Sequence, residues 1–194
     1  LFFITFHLLS SKYSIKDGGP VEIGVESTIL DMTVTPPMIL RPGAVTREML
    51  EELIGEVAVD QTLLKADSRT APKAPGMKYR HYAPKANLVV VEGEVEKVTA
   101  WIRETAATKQ QEGKKVGIIA TEETKESYPD GDVKVAGTRA DEATIASSLY
   151  GILREFDGDG VDEIYSEAFA SGGIGAAVMN RLLKAAGHQV IRIT

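Results

Sequence analysis

The clearest pattern of hydrophobic and polar positions runs from residue 87 to the end of the chain. Short apolar runs alternate there with stretches in which apolar residues recur every three or four positions. The apolar runs predict strands at 88–91, 116–120, 133–135, 162–166 and 190–193, and the periodic stretches predict helices over about 94–112, from Asp141, and through Ile174 to Leu182. Nearly all-apolar strands that alternate with helices are typical of a mostly parallel sheet covered on both faces. We therefore predict a Rossmann-like α/β domain over 87–194.

A weaker pattern over residues 17–62 predicts two strands and one helix. Thr46 has the position of an N-cap, Glu48 falls in the first turn where the helix dipole favours a carboxylate, and Gly55 has the position of a C-cap. So few elements bury little apolar surface by themselves. We expect this block to be an incomplete piece of an α/β domain, completed by a sheet supplied elsewhere.

Residues 63–86 show no apolar period and contain three prolines, which predicts a linker. Within this linker, one segment concentrates cationic donors and phenols: Lys78, Tyr79, Arg80, His81 and Tyr82. Such side chains can neutralise and stack against a polyphosphate. A charged, solvated linker explains the composition equally well, so the residues alone leave both interpretations open.

Composition narrows the classes of function. The 28 acidic residues outnumber the 22 basic ones, and the net charge of -6 argues against a broad nucleic-acid-binding face. The absence of cysteine excludes disulfides and thiolate metal sites and is compatible with the cytoplasm. The apolar start of the unassigned segment 1–16 is shorter than the roughly 20 residues that span a bilayer, and it lacks the marks of a signal peptide.

Two further motifs carry weak signals. The glycine-rich stretch 172–175 follows a predicted strand and opens a helix, but it lacks the full spacing of a dinucleotide-binding turn, which favours a packing role. The three histidines lack the clustered spacing of a metal site, so we predict no metal site built by the protein.

Five short motifs occur in order along the chain: Asp17-Gly18-Gly19-Pro20, Gly24-Val25-Glu26-Ser27-Thr28, Leu40-Arg41-Pro42-Gly43, the linker stretch from Ala74 to Pro84, and Met179-Asn180-Arg181-Leu182. With these motifs in this order, the chain resembles the long, two-domain threonylcarbamoyl-AMP synthases. The resemblance implies that 17–62 is the C-terminal part of a YrdC-like catalytic domain, 63–86 a lid over the active site, and 87–194 the C-terminal Rossmann-like domain.

The resemblance also implies an activity: synthesis of threonylcarbamoyl-AMP and pyrophosphate from L-threonine, bicarbonate and ATP, for tRNA modification. It places Ser27 at the threonine site and Arg41 at the nucleotide, with Lys78, Tyr79, Arg80, His81 and Tyr82 near the phosphates. ATP is a substrate, Mg²⁺ is expected to be held through its phosphates, and the implied partners are downstream tRNA-modification proteins. No membrane and no stable nucleic-acid complex are expected.

The resemblance places the family's catalytic basic and serine/asparagine motifs upstream of Asp17, where residues 1–16 do not supply them. We therefore expect the catalytic residues to lie outside this chain and the chain alone to be inactive or impaired. Ala74 stands where the family usually has a serine, which removes one hydroxyl donor. A non-catalytic nucleotide-binding or regulatory module is the alternative, and an RNA-binding accessory protein is a third possibility that the acidic balance disfavours.

Overall fold

The structure, a computed structural model, describes residues 4–9, 12–17, 23–60, 63 and 83–194. The first two ranges form an antiparallel pair of strands, β1 (Ile4–Leu9) and β2 (Lys12–Asp17). The sequence pattern left residues 1–16 unassigned.

A small mixed sheet follows, built from β3 (Ile29–Asp31), β4 (Met38–Arg41) and β5 (Ala58–Val59), with α1 (Arg47–Ile54) between the last two. β4 lies in the middle, antiparallel to β3 and parallel to β5. The prediction of only two strands is wrong because β5 has two residues, too few to give an alternating pattern.

The predicted caps of α1 are confirmed. The Thr46 hydroxyl accepts a hydrogen bond from the Met49 N–H at 3.4 Å, and Gly55 ends the helix with a φ of 81°. The apolar stripe of α1, however, is not covered: Met49 is 50% exposed and Leu53 is 81% exposed. None of the residues of α1 is buried in the described part of the chain.

The predicted α/β domain is confirmed, and it is a five-stranded sheet in which every neighbouring pair is parallel. Its elements, in chain order, are β6 (Asn87–Glu92), α2 (Val95–Gln111), β7 (Val116–Ala120), β8 (Asp132–Val135), α3 (Glu142–Asp159), β9 (Glu163–Glu167), α4 (Gly173–Ala185) and β10 (Val190–Arg192). The strand order is β10-β6-β9-β7-β8, so β9 lies between two strands that precede it in the chain.

Helices cover both faces of this sheet. On β6, Leu88 and Val90 join the core formed with α3 and α4, while Val89 and Val91 join the core formed with α2. Burying each such aliphatic side chain contributes about 1.5–3 kcal/mol. Since α2 follows β6 on one face and α4 follows β9 on the other, these neighbouring strands meet the condition for a ligand crevice at their carboxyl ends. In the described part of the chain, no helix is long and apolar enough to cross a membrane.

The segment before β3 packs against α3 and α4. Val25 belongs to the same buried cluster as Ala146 and Leu149 of α3. Gly24 has a φ of 64°, and a Cβ there would collide with the backbone of Ala146 and Ser147. Two units meet here, the small mixed-sheet unit (23–60) and the C-terminal α/β domain (87–194). Their close approach therefore depends on a glycine at this position.

Candidate functional site

Ser27 and Arg41 lie side by side, although 14 positions separate them along the chain. Arg41 is the last residue of β4, and its Nε donates a hydrogen bond to the Ser27 carbonyl at 3.0 Å. A second bond holds the same two loops together, because the Thr28 hydroxyl donates to the Val45 carbonyl at 2.6 Å. A Cβ at Gly43 would collide with the backbone of residues 26–28, so the second loop also needs its glycine.

The Glu26 carboxylate joins this pair to the C-terminal domain. Its Oε2 accepts a hydrogen bond from Nη2 of Arg181 at 2.9 Å and lies 4.0 Å from Nη1 of Arg41. Lys184, one turn further along α4, is half-buried. Burial lowers the pKa of the Lys184 ammonium, although the Glu26 charge opposes that shift. One carboxylate and three cationic side chains therefore meet where the two units touch.

The contacts of Arg181 and Asn180 show the role of the motif 179–182, for which the sequence alone suggested no function. Nη1 of Arg181 donates to the carbonyls of Pro42 at 3.2 Å and Ala177 at 2.8 Å, and Asn180 donates to the Leu63 carbonyl at 3.4 Å. These contacts make the motif 179–182 an attachment of α4 to the preceding unit. The motif was the available signal for these residues, but their partners lie too far along the chain for spacing to reveal them.

Carboxylates occupy the glycine-rich turn at the start of α4. The Gly175 N–H donates to Oε2 of Glu142 at 2.8 Å. The pKa of Glu48 is held below its ordinary value, first by its own backbone N–H, then by the Thr46 hydroxyl, with a smaller contribution from the Gly173 N–H. Carboxylates from α1 and α3 thus take the place that a phosphate has in a dinucleotide-binding turn. The packing role favoured by the sequence agrees with this geometry.

A cavity of about 300 Å³ lies between the β4–α1 loop and the start of α4. Pro42, Thr46 and Glu48 line one side, and Gly172, Met179 and Asn180 line the other. Clefts at domain interfaces are common places for ligands. This cavity is adjacent to the attachment formed by Arg181, since Pro42 belongs to both.

A second polar cluster, missed by sequence analysis, lies at the carboxyl edge of the large sheet. Glu167 ends β9 with its side chain 1% exposed, where it accepts from the Tyr128 hydroxyl at 2.8 Å and from Nη2 of Arg139 at 2.5 Å. Burial, followed by the Glu167 charge, raises the pKa of the Tyr128 phenol. The only signal in the sequence is a carboxylate that ends an otherwise buried strand, and its two partners come from separate loops.

The remaining predicted site residues are Lys78, Tyr79, Arg80, His81 and Tyr82. They lie outside the described residues. Within the described ranges, no three His, Asp or Glu side chains are grouped so that they could hold a metal ion.

Comparison with known proteins decides the family. Residues 45–187 match the family model of the threonylcarbamoyl-AMP synthase C-terminal domain, from the β4–α1 loop to just after α4. The chain belongs to this family. The expected resemblance is thereby confirmed.

Relatives match almost the whole chain. It is 47% identical over 178 residues to a threonylcarbamoyl-AMP synthase of Bacillus subtilis, and 46% identical over 179 residues to one of Pyrococcus abyssi. Each match covers 92% of this chain. A crystal structure of P. abyssi Sua5 complexed with L-threonine is similar with a TM-score of 0.81 and 43% identity, covering 92% of this chain and 50% of that one. The chain thus spans about half the length of the relatives it matches.

Proposed function

We propose that this chain is part of a threonylcarbamoyl-AMP synthase, a nucleotidyltransferase that joins L-threonine, bicarbonate and ATP and releases pyrophosphate. The observation that carries the proposal is family membership together with the hydrogen bond from Arg41 to Ser27 at 3.0 Å. We assign 17–62 to the catalytic domain, 63–86 to a lid and 87–194 to the C-terminal domain. The product would supply tRNA-modification proteins in the cytoplasm.

In this proposal, Ser27 contacts threonine and Arg41 contacts the nucleotide. The solved P. abyssi relative was crystallised with L-threonine, which supports an amino-acid site in this family. Lys78, Tyr79, Arg80, His81 and Tyr82 would cover the triphosphate, and Mg²⁺ would be held through the phosphates. Because the carbamate and the mixed anhydride hydrolyse easily, a cationic lid would both exclude water and stabilise charge.

The chain alone would turn over slowly or not at all, since its catalytic residues would lie in the half of the relatives that it does not match. Incubation with ATP, threonine and bicarbonate tests this, with pyrophosphate release and threonylcarbamoyl-AMP as readouts. Robust turnover by the chain alone would refute its incompleteness.

A hybrid tests the function itself. The N-terminal half of the B. subtilis relative, joined to this chain at the position of Asp17, is expected to make threonylcarbamoyl-AMP. In that hybrid, Ser27→Ala should raise KM for threonine, and Arg41→Ala should raise KM for ATP. A folded hybrid without product would contradict the proposal.

ATP titration of the chain separates this function from a regulatory module. Binding that is lost when Lys78 and Arg80 become alanine favours the synthase lid. Binding that persists in residues 87–194 alone favours a nucleotide-binding module instead.

A further inference from the structure

We propose that Arg181, on α4 of the C-terminal domain, is a positioning residue for the site at Ser27 and Arg41. This inference rests on the proposed function for its consequence, but its geometry can be tested without turnover.

The Arg181 guanidinium connects acceptors from both units. It donates to Glu26 and Pro42 of the first unit and to Ala177 of its own helix, at 2.9, 3.2 and 2.8 Å. Pro42 follows Arg41 and Glu26 precedes Ser27, so each bond across the interface holds a residue next to a predicted substrate contact. A planar guanidinium can serve several acceptors at once, which a lysine ammonium does with less geometric control.

The charges of these side chains give Arg181 an electrostatic role in addition to its role in attaching the two units. Arg181 and Arg41 share the Glu26 carboxylate, with Arg181 at hydrogen-bond distance and Arg41 at 4.0 Å. The exposed fractions of the three side chains are only 14% for Arg181, 18% for Arg41 and 23% for Glu26, so solvent screens these charges weakly. Because Arg181 donates a hydrogen bond to the Glu26 carboxylate, the Nε–H of Arg41 can remain bonded to the Ser27 carbonyl.

Removal of Arg181 therefore has a specific consequence. Glu26 would be left as a partly buried carboxylate without its principal donor, a costly state that it can relieve by drawing in Arg41. The Arg41 guanidinium would then leave the Ser27 carbonyl and form an ion pair with the Glu26 carboxylate. A phosphate ligand would have to compete with that carboxylate.

The side-chain Nε–H signal of Arg41 in ¹⁵N NMR spectra of the full chain tests the geometry directly. In Arg181→Ala, solvent exchange of this proton is expected to become faster by about fivefold or more, the factor that one ordinary hydrogen bond supplies. Arg192→Ala is the matched control, because it removes an exposed arginine–carboxylate pair on β10 of the same domain. An unchanged Arg41 signal in folded Arg181→Ala would overturn the proposal.

ATP titration tests the electrostatic step. Arg181→Ala is expected to weaken ATP binding by about tenfold, as expected for loss of one charge-assisted contact. The double variant Glu26→Gln with Arg181→Ala should recover affinity to within about twofold of wild type, because a neutral amide no longer captures Arg41. A purely structural role predicts that the double variant binds no better than the single one, and that result would also overturn the proposal.

The nucleotide role of Arg41 and the positioning role of Arg181 can be disproved separately. If Arg41→Ala binds ATP as well as wild type does while the Arg41 signal of the wild-type side chain still depends on Arg181, the nucleotide role of Arg41 is wrong and the positioning by Arg181 stands. If wild type binds ATP and Arg181→Ala binds it equally well, the positioning is wrong and the proposed function is untouched.

Discussion

The Glu167 carboxylate shows at the scale of one residue what a buried charge requires. It is almost fully enclosed, and its two oxygens accept from the Tyr128 hydroxyl and the Arg139 guanidinium. A buried carboxylate that loses a donor bears the full cost of its desolvation. This cluster is therefore where small substitutions in the C-terminal domain have large effects on stability.

Tyr128→Phe is expected to lower the free energy of unfolding by about 1–3 kcal/mol, because Oε1 of Glu167 stays buried without its donor. Urea unfolding followed by circular dichroism measures the change. Tyr150→Phe is the matched control, since its hydroxyl interacts with Arg154 near the surface of α3. Equal losses in the two variants would show that burial of the acceptor is not the cause.

Glu123 provides a test by pH. The Thr138 hydroxyl, at 2.5 Å, is the main reason that the pKa of this carboxyl falls from 4.5 to about 2. A depressed folded-state pKa adds stability above the unfolded value of 4.5, and that stability is lost as pH falls toward 2. Thr138→Val should raise the pKa in an NMR titration and flatten the acid dependence of stability, whereas Thr138→Ser should preserve both. A pKa unchanged in Thr138→Val would contradict this account.

At the scale of elements, the sequence predicted the strands and helices that leave a recognisable pattern of apolar residues. Every strand and every α-helix over 87–194 was expected near its observed position, because periodic stretches are fixed by local patterning; the single 3-10 turn at Lys125–Ser127 was not expected. The short β5 and the insertion of β9 between β6 and β7 were not expected, since two-residue strands and strand order leave no local trace.

Among the described residues of the candidate site, the sequence predicted only Ser27 and Arg41. Ser27 and Arg41 were named by resemblance, and the structure places them in contact. Arg181 lies 155 positions from Glu26, so the bond between them exists only after the elements pack. No spacing within the sequence could have indicated it.

Contact between elements gives a prediction at α3. Gly24→Ala should destabilise the chain, because its φ of 64° is strained for alanine and its Cβ would collide with the α3 backbone. Gly151→Ala, within α3 and facing open space, should instead stabilise by about 0.5–1 kcal/mol through helix propensity. Thermal unfolding distinguishes the two, and effects of the same sign would refute this packing.

At the scale of the whole molecule, exposed apolar surface is concentrated before the large sheet. Of the large hydrophobic side chains exposed in the described residues, all but Val95 fall between positions 23 and 54. Most of the buried core belongs to the C-terminal domain. The two units therefore differ in how much of their own apolar surface they cover.

Leu53→Gln tests what this surface is for. In this chain it should change the free energy of unfolding by less than about 0.5 kcal/mol, because Leu53 is 81% exposed. In the hybrid with the B. subtilis N-terminal half, the same change should lower thermal stability if that half packs over α1. Val95→Gln, on the C-terminal domain, is the control expected to be neutral in both. A neutral Leu53→Gln in the hybrid would show that α1 stays uncovered there.

The bond between Glu26 and Arg181 also has an evolutionary consequence. Two positions that satisfy one another across a domain boundary cannot drift independently, since a lone change leaves a half-buried charge unmatched. Across the family, a neutral residue at one position should therefore accompany a neutral residue at the other.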